Sequence, residues 1–165
     1  MSRVYLPTTL AGLRGALEAD SVDAATGYAV TPALREWYAE GDLEELEYAA
    51  STAAARASLR LLAAGDGAPA RRVVLAVELP DDAVRPAPDV DRAAVRIAAP
   101  VPWRVVESAL VDDPSAVDDV RRAVAALSAA DSGDDDATFT VDSVDDHELG
   151  WYAVQELSAL VALEA

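Results

Sequence analysis

The chain contains no cysteine, no lysine and no asparagine, and only one histidine, one isoleucine and one phenylalanine. Without cysteine there are no disulfides, thiolate nucleophiles, iron–sulfur clusters or Cys-ligated zinc sites. That usage fits a cytoplasmic protein. The opening MSRVYLPTTL lacks the apolar run of a signal peptide, and no stretch approaches the roughly 18 apolar residues that span a bilayer. Without lysine, all 13 basic residues are arginines, set against 30 acids for a net charge of −17. A surface this acidic repels nucleic acid and acidic membranes, which need a basic patch. Arg71-Arg72 and Arg121-Arg122 are the nearest candidates, and they read as a strand start and a helix face. No nucleic-acid or membrane partner is expected. A high-GC codon bias or a salt-adapted proteome would each produce this composition, as would, less naturally, an acidic decoy for a DNA-binding protein.

The 165 residues suffice for one domain with its own core. Much of the apolar content is alanine, so the core must come from Leu, Val, three Trp and five Tyr, each large side chain contributing about 1.5–3 kcal/mol when buried. RVYLP (3–7) reads as a first strand stopped by Pro7. TTLAGLRGALEAD follows as a helix, capped by Thr8 or Thr9, with Leu10, Leu13 and Leu17 on one face. AATGYAV (24–30) is a second strand weakened by Gly27. Thr31 and Pro32 open a short helix ended by Gly41. Asp42 caps a long helix with Glu45 three residues on. Its stripe of Leu43, Leu46, Ala50, Ala54, Ala57 and Leu61 is small in the middle, which suits close packing.

RRVVLAVELP carries the strongest strand, and the unbroken run Val73–Val77 predicts cover on both faces. RAAVRIAAPVP gives another strand, with Pro100 and Pro102 marking an edge or a bend. WRVVESALVDDP reads as a strand, although a short helix also fits. Pro114 opens a helix carrying Val117, Val120, Val124 and Leu127 on one side. Residues 131–145 read as an acidic mobile loop. The last helix is predicted over 146–163, with Leu149, Ala153, Leu157, Leu160 and Val161 as its core stripe. The expected architecture is therefore a single α+β domain over 1–165: one mixed sheet of four or five strands layered with helices.

The chemistry-bearing candidates cluster in VDDHELGWYAVQEL (144–157). His147 with Asp142, Asp145, Asp146 and Glu148 could act as a general base or hold a metal. The plainer reading is that Asp145 caps the last helix, Glu148 closes a capping box, and His147 is a first-turn surface residue. It is preferred because capping boxes are common and one histidine without a second nitrogen or sulfur ligand makes a poor transition-metal site. Trp151 falls off the helical stripe and Tyr152 at its margin. Each either packs on a neighbour or serves as an interface anchor, where Trp is enriched. DSGDDD lacks the bidentate twelfth-position Glu of a calcium loop, and AAGDGAP lacks the Gly-Lys-Ser/Thr of a phosphate loop. No Gly-x-Ser-x-Gly is present, and no cofactor or metal is expected.

Taken along the chain, RVYLPTTLAGL, DLEELEYAASTAAARASLRLL and ELGWYAVQELSAL resemble a small family of actinobacterial proteins of unknown function. The resemblance spans nearly the whole chain and implies a bacterial, cytoplasmic setting. It implies no activity and no site residue. The sequence therefore predicts a non-enzymatic protein-binding or regulatory module whose partner is a protein, a second copy among the candidates. The competing reading is a carboxylate/His hydrolase-like enzyme around His147, with or without Mg²⁺.

Overall fold

The computed structural model describes residues 1–98 and 100–164. β1 (Ser2–Thr8) runs antiparallel to β4 (Val73–Leu79) along its whole length, with Ser2 opposite Leu79 and Thr8 opposite Val73. This pair is the middle of a seven-stranded sheet. Beyond β1 lie β3 (Thr26–Tyr28), β6 (Ala94–Ile97) and β5 (Val84–Pro86). Beyond β4 lie β8 (Val106–Val111) and β9 (Gly150–Ala153). β2 (Ser21–Val22) and β7 (Val101–Pro102) pair as a separate ribbon.

The expected four or five mixed strands are therefore corrected to seven, every neighbouring pair antiparallel. Two causes account for the difference. β5 and β9 have only three or four residues, too few to show a period of two, whereas β3 lies within the strand expected over 24–30. The helical connection between β3 and β4 does make a parallel relation, but β1 lies between them, a split βαβ arrangement. RAAVRIAAPVP also divides, into β6 in the main sheet and β7 in the ribbon. Gly27 belongs within β3 after all: Val4 and Leu6 of β1 and Ile97 of β6 fill the space a side chain would need.

The alternation of side chains sorts β4 onto two covered faces, as its unbroken apolar run predicts. Val73, Leu75 and Val77 join Val4, Leu6, Ala109 and Val111 on one face, under α1 (Leu10–Ala19) and α6 (Leu157–Leu163). Thr9 caps α1 by accepting from the Gly12 N–H. Val74 and Ala76 join Tyr5 on the other face, under Leu46, Ala50, Ala54 and Ala55 of α3 (Leu43–Ala64). Asp42 caps α3, and Thr31 caps the preceding α2 (Pro32–Trp37), both as the residues predict. The buried stripe of α3 differs in detail: Leu43 and Leu61 are exposed, while Ser58, Leu59 and Leu62 are buried. The far half of α3 joins a third cluster with α4 (Val117–Asp131) and α5 (Asp135–Ser143).

α5 replaces most of the loop expected over 131–145. Asp134 caps it by accepting from the Ala137 N–H, and the acids of its first turn suit the positive helix end. The last helix is also corrected. Residues 150–153 form β9, and α6 begins only at Leu157. The i, i+4 pair Leu149/Ala153 misled the sequence reading. Trp151 and Tyr152 actually alternate across the sheet, which is the strand period. No described helix is long and apolar enough to cross a membrane.

Candidate functional site

α3 lies over β1, β3 and β4 and covers β8 only in part on that face: Leu110 packs on its cluster, while Trp151 of β9 stays exposed. The step beside the helix forms a groove. One hollow, of about 370 Å³, is bounded by Ser51 and Thr52 of α3, Leu110 of β8, and Asp145, His147 and Glu148. A second, of about 250 Å³, is floored by Tyr5, Ala76 and Ser108 and bounded by Trp151. The two share Tyr48, Ser51 and Leu110, so they adjoin along the helix. The stretch of α3 from Glu44 to Ala55 gives the groove a length of about 16 Å at ~1.5 Å per residue. Tyr48 and Trp151 are the large apolar side chains at its rim, 59% and 66% exposed.

The floor at the His147 end is held by a buried ion pair. Arg72, just before β4, is 1% exposed, and Asp112, just after β8, is 0% exposed. Asp112 Oδ2 accepts from the Arg72 backbone N–H at 2.7 Å and from Nε at 2.8 Å, while Oδ1 accepts from Nη2 at 2.8 Å. Nη2 also donates to the carbonyls of Val144 and His147, at 3.2 and 3.1 Å. This one guanidinium therefore closes the sheet and pins the segment leading into β9.

The capping-box reading of Asp145 and Glu148 is overturned. Asp145 sits in a 3₁₀ turn (Val144–Asp146), and its carboxylate accepts from Arg56 Nη2 at 2.9 Å, beside Asp142 at 2.7 Å. Burial works against the Arg56 charge, but the hydrogen bonds to Asp145 and Asp142 outweigh it and hold the guanidinium above its ordinary value. Glu148 is exposed at the groove wall. His147 is in extended backbone rather than a first helical turn, and its Nε2 lies 2.7 Å from Asp119 Oδ2 of α4. Arg122 holds the other oxygen of Asp119. The residue that does serve as a helix-start acceptor is Glu156, which takes the Ala153 N–H at 2.7 Å.

Of the five site residues named from sequence, Asp145, His147, Glu148 and Trp151 line this groove. Tyr152 points to the opposite face and packs on the main core. Sequence reasoning missed Tyr48, Arg72, Asp112 and Asp119. Arg72 and Asp112 carry a faint signal, a charge at the start of one apolar strand and an opposite charge at the end of another. Tyr48 and Asp119 carry none, because helix surfaces abound in such residues.

The His147–Asp119 pair could orient an imidazole, but among the described residues no hydroxyl is bonded to the ring. The nearby Ser51 hydroxyl donates to its own helix, at the Tyr48 carbonyl. Among the described residues no group of three His, Asp or Glu could hold a metal ion. The groove is acidic: Glu44, Glu47 and Glu148 line it, and the Tyr5 phenol, pushed up by burial and by Glu47, donates to that carboxylate. Arg3 also lines it but is paired with Glu78 and Glu107.

The chain belongs to a family of unknown function (DUF6912), whose family model matches residues 2–161. No curated protein and no solved structure matches it.

Proposed function

Starting from a family with no assigned activity, we propose that this protein is a non-enzymatic, cytoplasmic binding module that receives a protein partner in the groove between α3 and the β8–β9 edge. The observation that carries this reading is the placement of Tyr48 and Trp151. Both are aromatic, mostly exposed and on the rim of the same hollow. Trp and Tyr are the residues around which interface energy concentrates. The groove has a floor held by the buried Arg72–Asp112 pair and a wall in α3, so little ordering of this chain itself opposes binding.

The test is site-specific photocrosslinking in living cells. A benzophenone amino acid is placed at Trp151 or Tyr48 and, as controls, at Phe139 and Val90, which are also exposed but lie outside the groove. A discrete protein adduct from the groove positions alone supports the reading. Adducts no different from those at Phe139 and Val90 overturn it.

A second reading, hydrolysis around His147 with or without Mg²⁺, draws on the His147–Asp119 contact. It ranks lower because, among the described residues, no hydroxyl is hydrogen-bonded to the ring, Asp145 is held by Arg56, and Arg72 is held by Asp112.

A further inference from the structure

Building on the groove reading, we infer that the occupant is an extended, basic segment of a partner protein that adds to the sheet along β9 and lays cationic side chains over Trp151 and Tyr48.

The backbone of β9 supports strand addition. β9 ends the sheet, so among the described residues one of its sides has no neighbouring strand. The Ala153 N–H goes to Glu156 rather than to β8. Antiparallel partners alternate between facing and outward backbone groups, so Trp151, two residues back, also directs its N–H and C=O to the open side. The two edges of the sheet differ. β5 ends in Arg85-Pro86, and such residues discourage pairing with another strand. β9 reads Gly-Trp-Tyr-Ala, with neither proline nor a charged residue within it; Glu156 occupies the Ala153 N–H, which leaves the Trp151 N–H and C=O for an added strand.

Charge selects the occupant. Glu44, Glu47 and Glu148 line the groove and form no salt bridge among the described residues. Its two arginines, Arg3 and Arg72, are committed to Glu78, Glu107 and Asp112. A cation over an aromatic face beside free carboxylates gains from both contacts. A second copy of this chain brings another net charge of −17 to the same place, which disfavours self-pairing. An extended segment presents every second side chain to one face, about 6.8 Å apart. Basic residues at i and i+2 on the α3 side of the added strand therefore lie beside Trp151 and extend across it toward the groove.

The experiment selects random dodecapeptides, displayed on phage, against the full chain. Survivors are counted again on a Trp151→Ala/Tyr48→Ala variant, with fold checked by circular dichroism. Both residues are exposed, and a Glu44→Gln/Glu47→Gln/Glu148→Gln variant serves as an independent second probe. The expected result is a groove-dependent set rich in Arg or Lys at alternate positions. Its best synthetic member should slow amide exchange at Trp151 and lose about tenfold in affinity to the glutamine variant. Groove-dependent sequences that are neutral or acidic overturn the basic occupant and leave the groove reading standing. Binding without protection of the Trp151 amide overturns strand addition. An absence of any groove-dependent sequence overturns this inference and the groove reading together.

Discussion

Replacing Asp112 by alanine should be among the most damaging single changes available in this chain. The carboxylate is fully buried and accepts three hydrogen bonds from Arg72, whose guanidinium is itself 1% exposed. Removing it strands a buried cation, and breaking such a pair from one side costs about 3–5 kcal/mol. For a chain of this length each kcal/mol moves the melting temperature by roughly 2–4 °C, so the expected fall is about 6–20 °C. Urea unfolding with two spectroscopic probes measures it and checks that the transition is two-state. The double variant Arg72→Met/Asp112→Leu should recover most of the loss, because it removes both charges and fills the space. That recovery separates a desolvated charge from a simple cavity. The double variant should also free residues 144–149, since Arg72 no longer donates to the Val144 and His147 carbonyls, and their amides should exchange faster. A cost below about 1 kcal/mol for Asp112→Ala would refute the argument that this pair holds the groove floor.

Ser58→Ala should cost about 1–3 kcal/mol, read by the same unfolding experiment, because the buried hydroxyl donates to the Thr8 carbonyl and accepts from the Val73 N–H, tying α3 to β1 and β4. Gly27→Ala should destabilise by roughly 1–3 kcal/mol, since a Cβ there would lie 2.6 Å from Val4 Cγ1. Trp151→Ala should leave the midpoint of unfolding within about 0.5 kcal/mol of the parent, as expected of a mostly exposed side chain. Asp131 should titrate below the ordinary carboxylate range, because Arg60 hydrogen-bonds it, and Arg60→Gln should return it to that range, as followed by NMR. Its folded value is depressed, so whatever stability the pair adds is present above the unfolded pKa and fades as the pH falls through the folded one.

The helix starts were legible because capping is local. Thr9, Thr31 and Asp42 each accept the N–H three residues on, and nothing distant competes. β4 was legible because burial on both faces leaves an unbroken apolar run. β5 and β9 were not, since strands of three or four residues are decided by the strands they pair with: β9 is made a strand by β8, far earlier in the chain, and β5 by β6. The final segment shows why the candidate site was half-seen. Asp145, His147 and Glu148 have the residue types of a helix start, yet Arg72 and Arg56 bind that segment from 70 to 90 positions away. Those contacts hold it as a 3₁₀ turn followed by extended backbone at His147, and the helix starts after Glu156 instead. Trp151 was recognised as an anchor candidate from its residue type. Its partner on the rim, Tyr48, is brought beside it only by the fold of α3 over the sheet.

The most direct test of contact through the groove compares three tagged forms of the protein expressed in its own cells: the parent, Trp151→Ala/Tyr48→Ala and, as a control outside the groove, Phe139→Ala. Proteins retained on each are quantified by mass spectrometry. The account predicts a partner retained by the parent and by Phe139→Ala and lost from the aromatic double variant. The same proteins in the same amounts on all three, or a partner lost only with Phe139, would contradict it.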